Sequence, residues 1–231
     1  MYDIDLHSHT RFFHGFEGRP TAFDRTGFRL NVAVAHARGL DAIAVTNHDY
    51  YTSFDVATGD LEIIPGVEIS TTRGHLLVIG PNPPARTEPG ALTPEEAISL
   101  AREYECAVVL PHPFRDSTVR DAEVAVDAVE VNGKHPQNAP MVKKLAEQKN
   151  LPLVGGSDAH YPIEIGRVIT KIEVDELTTD TVVQAIKSKN TDYETVQRFP
   201  DRYIRKLYST IHWFKRVTSE AAPTTTEEPQ D

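Results

Sequence analysis

The chain has 231 residues, of which 39% are hydrophobic and 25% charged, and its formal net charge is −10 at pH 7. This length suits one α/β domain with a good-sized core, and the acidic balance argues against a broad nucleic-acid-binding surface. The single cysteine, Cys106, excludes a disulfide framework, and its apolar neighbours indicate a small buried hydrophobe rather than a nucleophile. We find neither a signal-peptide pattern nor a membrane span, so we expect a cytoplasmic protein.

The chain opens on a predicted strand that ends in a histidine pair. Residues 2–6 alternate polar and apolar, and His7-Ser8-His9 follows them. Because residues i and i+2 of a strand point to the same side, His7 and His9 aim two imidazoles at one point. Neutral imidazole is a common ligand for divalent zinc, manganese and iron. A lone His-x-His is also common as a solvated or hydrogen-bonded pair, so the remainder of the chain decides between the two readings.

Beyond this pair, short apolar strands alternate with helices. Strands are predicted at 41–46, 61–69 with a break at Pro65-Gly66, 74–79, 107–110, 127–131, 153–154 and 168–174, and helices at 28–39, 93–104, 116–125, 139–150 and 179–188. This alternation favours a largely parallel sheet with helices outside, closed or distorted into a barrel. No Gly-rich phosphate fingerprint follows the first strand, which argues against a dinucleotide-binding fold.

The chain divides into three predicted parts. Residues 1–190 form the barrel domain, 191–218 a C-terminal amphipathic helix packed on the barrel, and 219–231 a disordered acidic tail. The helix places apolar residues such as Leu207 and Ile211 at helical spacing, and its other faces carry arginine and lysine. A membrane-surface or partner-binding helix is the alternative interpretation.

Metal-ligating residue types gather near the ends of the predicted strands. They are His7, His9, His48, Glu68, His75, His112, Glu130, Asp158 and His160. Because active sites of (β/α) barrels collect at the carboxyl ends of the strands, we expect these side chains to meet in one pocket.

Six motifs within these segments, in this order, carry a family resemblance. They are Asp5-Leu-His-Ser-His9, Thr46-Asn-His-Asp49, Pro65-Gly-Val-Glu68, His75, His112-Pro113 and Gly156-Ser-Asp-Ala-His160. Together they resemble the PHP (polymerase and histidinol phosphatase) family over nearly all of residues 1–190. The resemblance implies a distorted seven-stranded (β/α) barrel that binds two or three divalent ions of zinc, manganese or iron. It also implies a phosphoesterase that hydrolyses a small phosphomonoester, nucleotide or short oligonucleotide through a metal-bridging hydroxide.

The resemblance also assigns ligands to each ion. The first ion would be held by His7, His9, Glu68 and Asp158, the second by Glu68, His75 and His112, and the third by His48, His160 and a ligand from the loop after the first strand. In this chain His14 occupies that loop position, either as the ligand or as a loop histidine with no ligand role. The chain departs from the family at two positions. His14 stands where phosphoesterase members usually have Asp, which affects a ligand of the third ion. Asn47 stands where Asp is common, and it lacks the negative charge that would act on His48 from behind.

Further residues have predicted supporting roles. We expect Asp5 and Asn47 to orient ligand histidines from behind. Arg115 is placed to clamp a phosphate bidentately, with a surface salt bridge as its alternative. Asn132 and Lys134 are weaker candidates for binding the substrate, and Asp49 is a candidate proton donor. The expected partners are therefore a small phosphorylated substrate or a short nucleic acid. The alternative functions are a nuclease and a non-catalytic, regulatory metal-binding barrel.

Overall fold

The computed structural model describes residues 1–11, 20–115 and 117–196. The strands are β1 (Tyr2–Ser8), β2 (Ala42–Val45), β3 (Glu62–Thr71), β4 (Gly74–Ile79), β5 (Ala107–Leu110), β6 (Ala128–Asn132), β7 (Leu153–Gly156), β8 (Val168–Ile172) and β9 (Thr191–Thr195). The α-helices are α1 (Asp24–Arg38), α2 (Pro94–Glu103), α3 (Ala139–Lys149) and α4 (Thr179–Lys187). The predicted third-site ligand His14, the predicted C-terminal helix beyond residue 196 and the predicted tail lie outside these residues.

Helix boundaries follow from capping residues in the sequence. Thr93 accepts a hydrogen bond from the backbone N–H of Glu96, whose side chain in turn accepts from the Thr93 backbone, and Pro94 begins α2. At the end of α1, Gly39 adopts a left-handed conformation with φ of 69° and closes the last turn. Both boundaries confirm the predicted ones to within a residue or two.

The described strands form one mixed sheet in the order β7-β6-β5-β4-β3-β2-β1-β8-β9. It has nine strands, not the seven that the family resemblance implies. The pairs β1–β2, β2–β3, β5–β6 and β6–β7 are parallel, and the other four pairs are antiparallel. The expectation of a largely parallel sheet is therefore wrong for half of the pairs. The turn between β3 and β4 is too short for a crossover, so β4 must run antiparallel to β3.

The sheet is nearly closed beside β1. The backbone N–H of His9 donates to the Ala159 carbonyl at 2.8 Å, and that of Ala159 donates to the His7 carbonyl at 3.2 Å. These bonds bring the segment after β7 against the end of β1, which brings together the first and last of the sequence motifs. Apolar side chains of the strands and of α4, among them Ile4, Leu6 and Ile186, form a buried core.

Three predicted elements differ from the structure. Strand β3 continues through Pro65-Gly66, and a Cβ at Gly66 would come within 2.9 Å of the Thr46 Cγ2, so glycine permits the close approach of β2. The helix predicted at 116–125 is only a 3₁₀ turn at Val119–Asp121. Residues 191–195 form β9 and pair with β8 instead of beginning the C-terminal helix, so the first compact unit extends to Val196.

A search of the described helices for a membrane span, by length and apolar character, finds none.

Candidate metal centre

The histidine pair at the end of β1 converges as predicted. His7 and His9 are both buried, and their ring centroids lie 5.1 Å apart. Behind them, Asp5 Oδ1 accepts hydrogen bonds from the backbone N–H groups of His7 at 3.2 Å and Ser157 at 2.9 Å, and Oδ2 accepts from Gly166 N–H at 2.7 Å. Asp5 therefore holds the backbone of His7 and of the segment after β7; these bonds do not involve an imidazole ring.

Glu68, on β3, is the fully buried centre of the cluster. Five imidazole nitrogens surround its carboxylate: His7 Nε2 at 3.1 Å, His9 Nε2 at 3.2 Å, His48 Nδ1 at 3.3 Å, His75 Nδ1 at 2.8 Å and His112 Nε2 at 3.0 Å. Burial alone would raise the pKa of Glu68, but the neighbouring histidines hold it well below its ordinary value. The carboxylate is therefore ionised and available as a ligand.

Asp158 brings a second carboxylate to the same histidines. Its Oδ1 lies 3.5 Å from His9 Nε2, 3.8 Å from His7 Nε2 and 3.2 Å from His160 Nδ1. Burial would raise the pKa of Asp158, but Lys134 and His7 lower it well below the ordinary value. Glu68 and Asp158 thus share His7 and His9, as the predicted first-ion ligand set requires.

His48 is fixed against Glu68 by the backbone. The Asn47 carbonyl accepts a hydrogen bond from Glu68 N–H at 3.1 Å, and Asp49 N–H donates to the Glu68 carbonyl at 2.9 Å. The Asn47 side-chain oxygen accepts from the backbone N–H and the hydroxyl of Thr10, at 2.9 and 3.2 Å. Asn47 therefore also anchors the segment that follows His9. Burial, reinforced by neighbouring histidines, lowers the pKa of His48 well below its ordinary value, so the ring is neutral.

The candidate proton donor Asp49 is tied to its surroundings. Its carboxylate accepts hydrogen bonds from Ser70 N–H at 2.9 Å, Ser70 Oγ at 2.6 Å and Thr87 Oγ1 at 2.9 Å. Burial nevertheless raises its pKa, against the effect of these bonds. A raised pKa suits a proton donor, whereas the three hydrogen bonds suit a brace between β3 and the loop that contains Thr87. Its role as the acid stays a prediction.

Three residues of the cluster have left-handed backbone conformations that non-glycine residues seldom adopt. They are Asp49, His112 and Asp158, with φ of 59°, 28° and 50°. Such backbone geometry concentrates at functional sites, where the surrounding structure maintains it. Here it occurs in three separate loops that carry a ligand of the cluster or, at Asp49, directly follow one.

Glu130, which the sequence placed in the pocket without assigning it to an ion, completes the support behind the ligands. Its Oε1 lies 2.7 Å from His7 Nδ1, and its Oε2 accepts from His112 N–H and Asn132 Nδ2, each at 3.0 Å. A carboxylate that accepts the outer N–H of a histidine leaves the other ring nitrogen free to bind a metal. The available signal was an acid within the apolar strand β6, which is costly unless the acid is paired.

The proposed substrate-binding residues all reach Asp158. Arg115 Nη1 donates to Oδ2 at 2.7 Å, Lys134 Nζ to Oδ1 at 3.0 Å, and Asn132 Nδ2 lies 3.5 Å from Oδ2. The Arg115 side chain is 38% exposed, whereas Asp158 is 1% exposed. Arg115 therefore pairs with a buried carboxylate of the cluster while keeping one side open to solvent.

The donor atoms fit divalent metal ions. His9 Nε2 and His75 Nδ1 are buried and make no hydrogen bond to any described residue, although each lies close to a Glu68 oxygen. Both nitrogens are therefore placed to bind a metal ion beside that carboxylate. In each of three groups, the ligand atoms lie within 4.8 Å of one another. The groups are His7, His9 and Glu68; His48, Glu68 and His75; and His9, His48 and His160. Nitrogen and carboxylate oxygen donors in such sets suit zinc, manganese or iron.

Comparisons with known proteins agree with this architecture. A family model described as PHP-associated matches residues 137–191. The comparison with curated proteins gives no significant match. Among solved structures, PsfC from Pseudomonas syringae PB-5123 is similar at 20% identity with a TM-score of 0.71, over 90% of this chain and 97% of that one.

Two further structures are similar over shorter shares of their own length. A two-domain protein from Bacteroides vulgatus, which contains a predicted PHP-like metal-dependent phosphoesterase, has 21% identity and a TM-score of 0.58 over 84% of this chain and 64% of that one. The lesion-specific endonuclease PfuEndoQ from Pyrococcus furiosus has 19% identity and a TM-score of 0.59 over 81% and 56%. At these identities the similarity establishes the fold, and this chain spans less than two thirds of both proteins.

Proposed function

We propose that this chain is a PHP domain protein and a metal-dependent hydrolase of phosphoester bonds, acting on a small phosphomonoester, nucleotide or short oligonucleotide. The observation that supports this most strongly is the buried Glu68 carboxylate, with five imidazole nitrogens within 3.3 Å and Asp158 beside it. A cluster with only a structural role would pair each donor with an acceptor, whereas here buried nitrogens remain without hydrogen bonds to described residues.

The ligands divide into sets around the two carboxylates. His7, His9, Glu68 and Asp158 would hold one ion, and Glu68, His75 and His112 a second. His48 and His160 offer ligands for a third ion, with His14 as the predicted completion of that site. Bound divalent ions would supply an activated water and neutralise charge on the phosphoryl group.

The protein's own contribution is to orient these ligands. Glu130 accepts the Nδ1 proton of His7, so Nε2, which lies 3.1 Å from Glu68 Oε2, is the nitrogen that would bind an ion once its own hydrogen is lost. Asp5 fixes the His7 backbone against the segment that carries Asp158. The centre therefore has a defined geometry before any substrate arrives, as electrostatic stabilisation of a transition state requires.

Substrate would enter from the side on which the cluster is partly exposed. His48, His75 and Arg115 have side-chain exposures of 27%, 34% and 38%, whereas His7 and Glu68 are fully buried. Arg115 can turn its remaining N–H groups toward phosphoryl oxygens, and Asn132 and Lys134 border the same carboxylate. We further propose Asp49 as the proton donor to the leaving group, since burial raises its pKa.

The test is hydrolysis by the full chain after chelator treatment and after addition of Mn²⁺ or Zn²⁺. The panel contains phosphomonoesters, nucleotides, and short RNA and DNA. We expect no activity in the stripped protein and recovery with metal, and the preferred substrate separates a phosphatase from a nuclease. Activity that survives metal removal would refute the mechanism, and tight metal binding without hydrolysis of any substrate would favour the regulatory barrel.

The Asp49 role has its own test. Asp49→Asn should slow hydrolysis of esters with poor leaving groups and spare an activated aryl phosphate, because only a poor leaving group needs protonation. An equal loss on both substrates would assign Asp49 a bracing role.

A further inference from the structure

We propose that the Lys134 ammonium and an ion at the third position exclude each other, so that this chain works with two ions and an internal cation. The inference rests on the proposed function, because it concerns the same centre. Lys134 lies two residues beyond the end of β6, where its backbone N–H donates to Asn132 Oδ1 at 2.9 Å. Its Nζ lies 3.0 Å from Asp158 Oδ1 and 2.6 Å from His160 Nδ1.

The contact with Lys134 determines whether the His160 ring can bind a metal ion. An ammonium group has three donors and no acceptor, so the Lys134–His160 hydrogen bond uses the lone pair of His160 Nδ1. The hydrogen of a neutral imidazole then resides on Nε2. With Lys134 in this position, neither ring nitrogen of His160 has a lone pair for a metal ion.

The loss of His160 weakens the third group of ligands most. That group consists of His9, His48 and His160, and the first two also lie beside Glu68. Without His160, the described ligands that remain for an ion there are His48 and His9, and the first ion already uses His9. The positive charge on Lys134 and on Arg115, both bonded to Asp158, also repels a further cation at this side of the centre.

Two acceptors beside the same nitrogen show how the ring would respond to removal of the lysine. His160 Nδ1 also lies 3.1 Å from the Asp158 carbonyl oxygen and 3.2 Å from Asp158 Oδ1. Once Lys134 is replaced by an apolar side chain, the ring hydrogen can move to Nδ1 and donate to this carbonyl, which frees Nε2 as a ligand. In the native chain the ammonium instead supplies positive charge to the phosphoryl group from the position of the third ion.

The experiment counts ions bound to the chelator-stripped full chain during titration with Mn²⁺. We expect two equivalents in the native protein and a third in Lys134→Met, whose affinity for that ion rises by about 10-fold or more. The matched control Lys143→Met changes an exposed lysine of α3 and should bind two. Equal stoichiometry and affinity in the native protein and Lys134→Met would overturn the proposal.

A second measurement needs no variant at position 134. In the Zn²⁺-saturated native protein, ¹⁵N spectra should show the His160 ring protonated at Nε2, and a metal-coordinated His160 would overturn the proposal. The two proposals fail differently. A native protein that binds no ion refutes the phosphoesterase together with this inference, whereas three ions and intact hydrolysis refute only the role of Lys134.

Discussion

Two lysine–carboxylate clusters with nearly the same distances lie in very different surroundings. Lys171, on β8, contacts Asp3 at 2.8 Å and Glu194 at 3.0 Å, and these carboxylate side chains are 35% and 52% exposed. Lys134 contacts Asp158 at 3.0 Å, but that carboxylate is 1% exposed and lies among imidazoles. The exposed cluster joins neighbouring strands and contributes little, whereas the buried one needs every partner, because an unpaired buried charge is costly. Burial, and not distance, distinguishes the functional cluster.

The largest effect should come from the most buried carboxylate. Glu68→Gln removes the negative charge between five imidazoles, so we expect metal affinity to fall by at least about 100-fold and hydrolysis to fall with it. Isothermal titration with Zn²⁺ and a phosphatase assay measure both quantities. Glu194→Gln is the exposed control and should leave both within experimental error. A Glu68→Gln protein that binds zinc normally would show that the cluster is not the metal centre.

Cys106 shows the effect of burial without a counter-charge. Burial raises the pKa of the Cys106 thiol to about 11, against a weaker opposing effect of Lys187. Because the thiolate is the reactive form, its fraction at pH 8 is about 100-fold lower than for an ordinary thiol. Ellman's reagent should therefore react slowly with the native protein and rapidly in denaturant, and the native rate should rise up to about pH 11. Fast native labelling at pH 8 would contradict this burial.

The carboxylate behind the ligands should have an intermediate effect. Glu130→Gln weakens the acceptor of the His7 Nδ1–H, and comparable changes cost about 10- to 100-fold in metal affinity. The fold should persist, which circular dichroism checks alongside the metal titration. Glu123→Gln, at an exposed position, serves as the control. Unchanged affinity in Glu130→Gln would mean that Glu130 has no part in positioning His7.

The smallest effect belongs to the exposed cluster. Lys171→Met breaks the contacts to Asp3 and Glu194, and we expect the free energy of unfolding to fall by less than about 1 kcal/mol. Urea denaturation monitored by fluorescence measures the change, and metal binding should not alter. A loss of several kcal/mol would show that exposure is a poor guide to these energies.

The site was predictable from sequence where local rules apply. His7 and His9 converge because a strand places residues i and i+2 on one side, and His112 and Asp158 follow strand ends that meet at one edge. The support that Glu130 gives to His7 was not predicted, because the sequence of a strand does not show which residue lies across the sheet from it. Its contact with His7 joins residues 123 positions apart.

The number of strands and their directions could not be predicted, because both depend on which strands pair with each other. The segment 191–195 is polar and half exposed, so nothing in its hydrophobic pattern indicates a strand; β8 supplies its hydrogen bonds. Pro65 predicted a break, but Pro65 itself pairs with Val45 of β2, and β3 continues to Thr71. The antiparallel β4 follows from the tight turn after Thr71, a feature that a strand–helix alternation does not reveal.

The central claim is that distant segments of the chain meet around divalent metal ions at Glu68 and Asp158. Crystals grown with Zn²⁺ and measured at the zinc absorption edge test it directly. We expect anomalous peaks about 2.0–2.2 Å from Glu68 and Asp158 oxygens and from the nitrogens of His7, His9, His75 and His112. Crystals without a peak at these residues, in which His7 and His112 remain hydrogen-bonded to Glu68, would contradict the account.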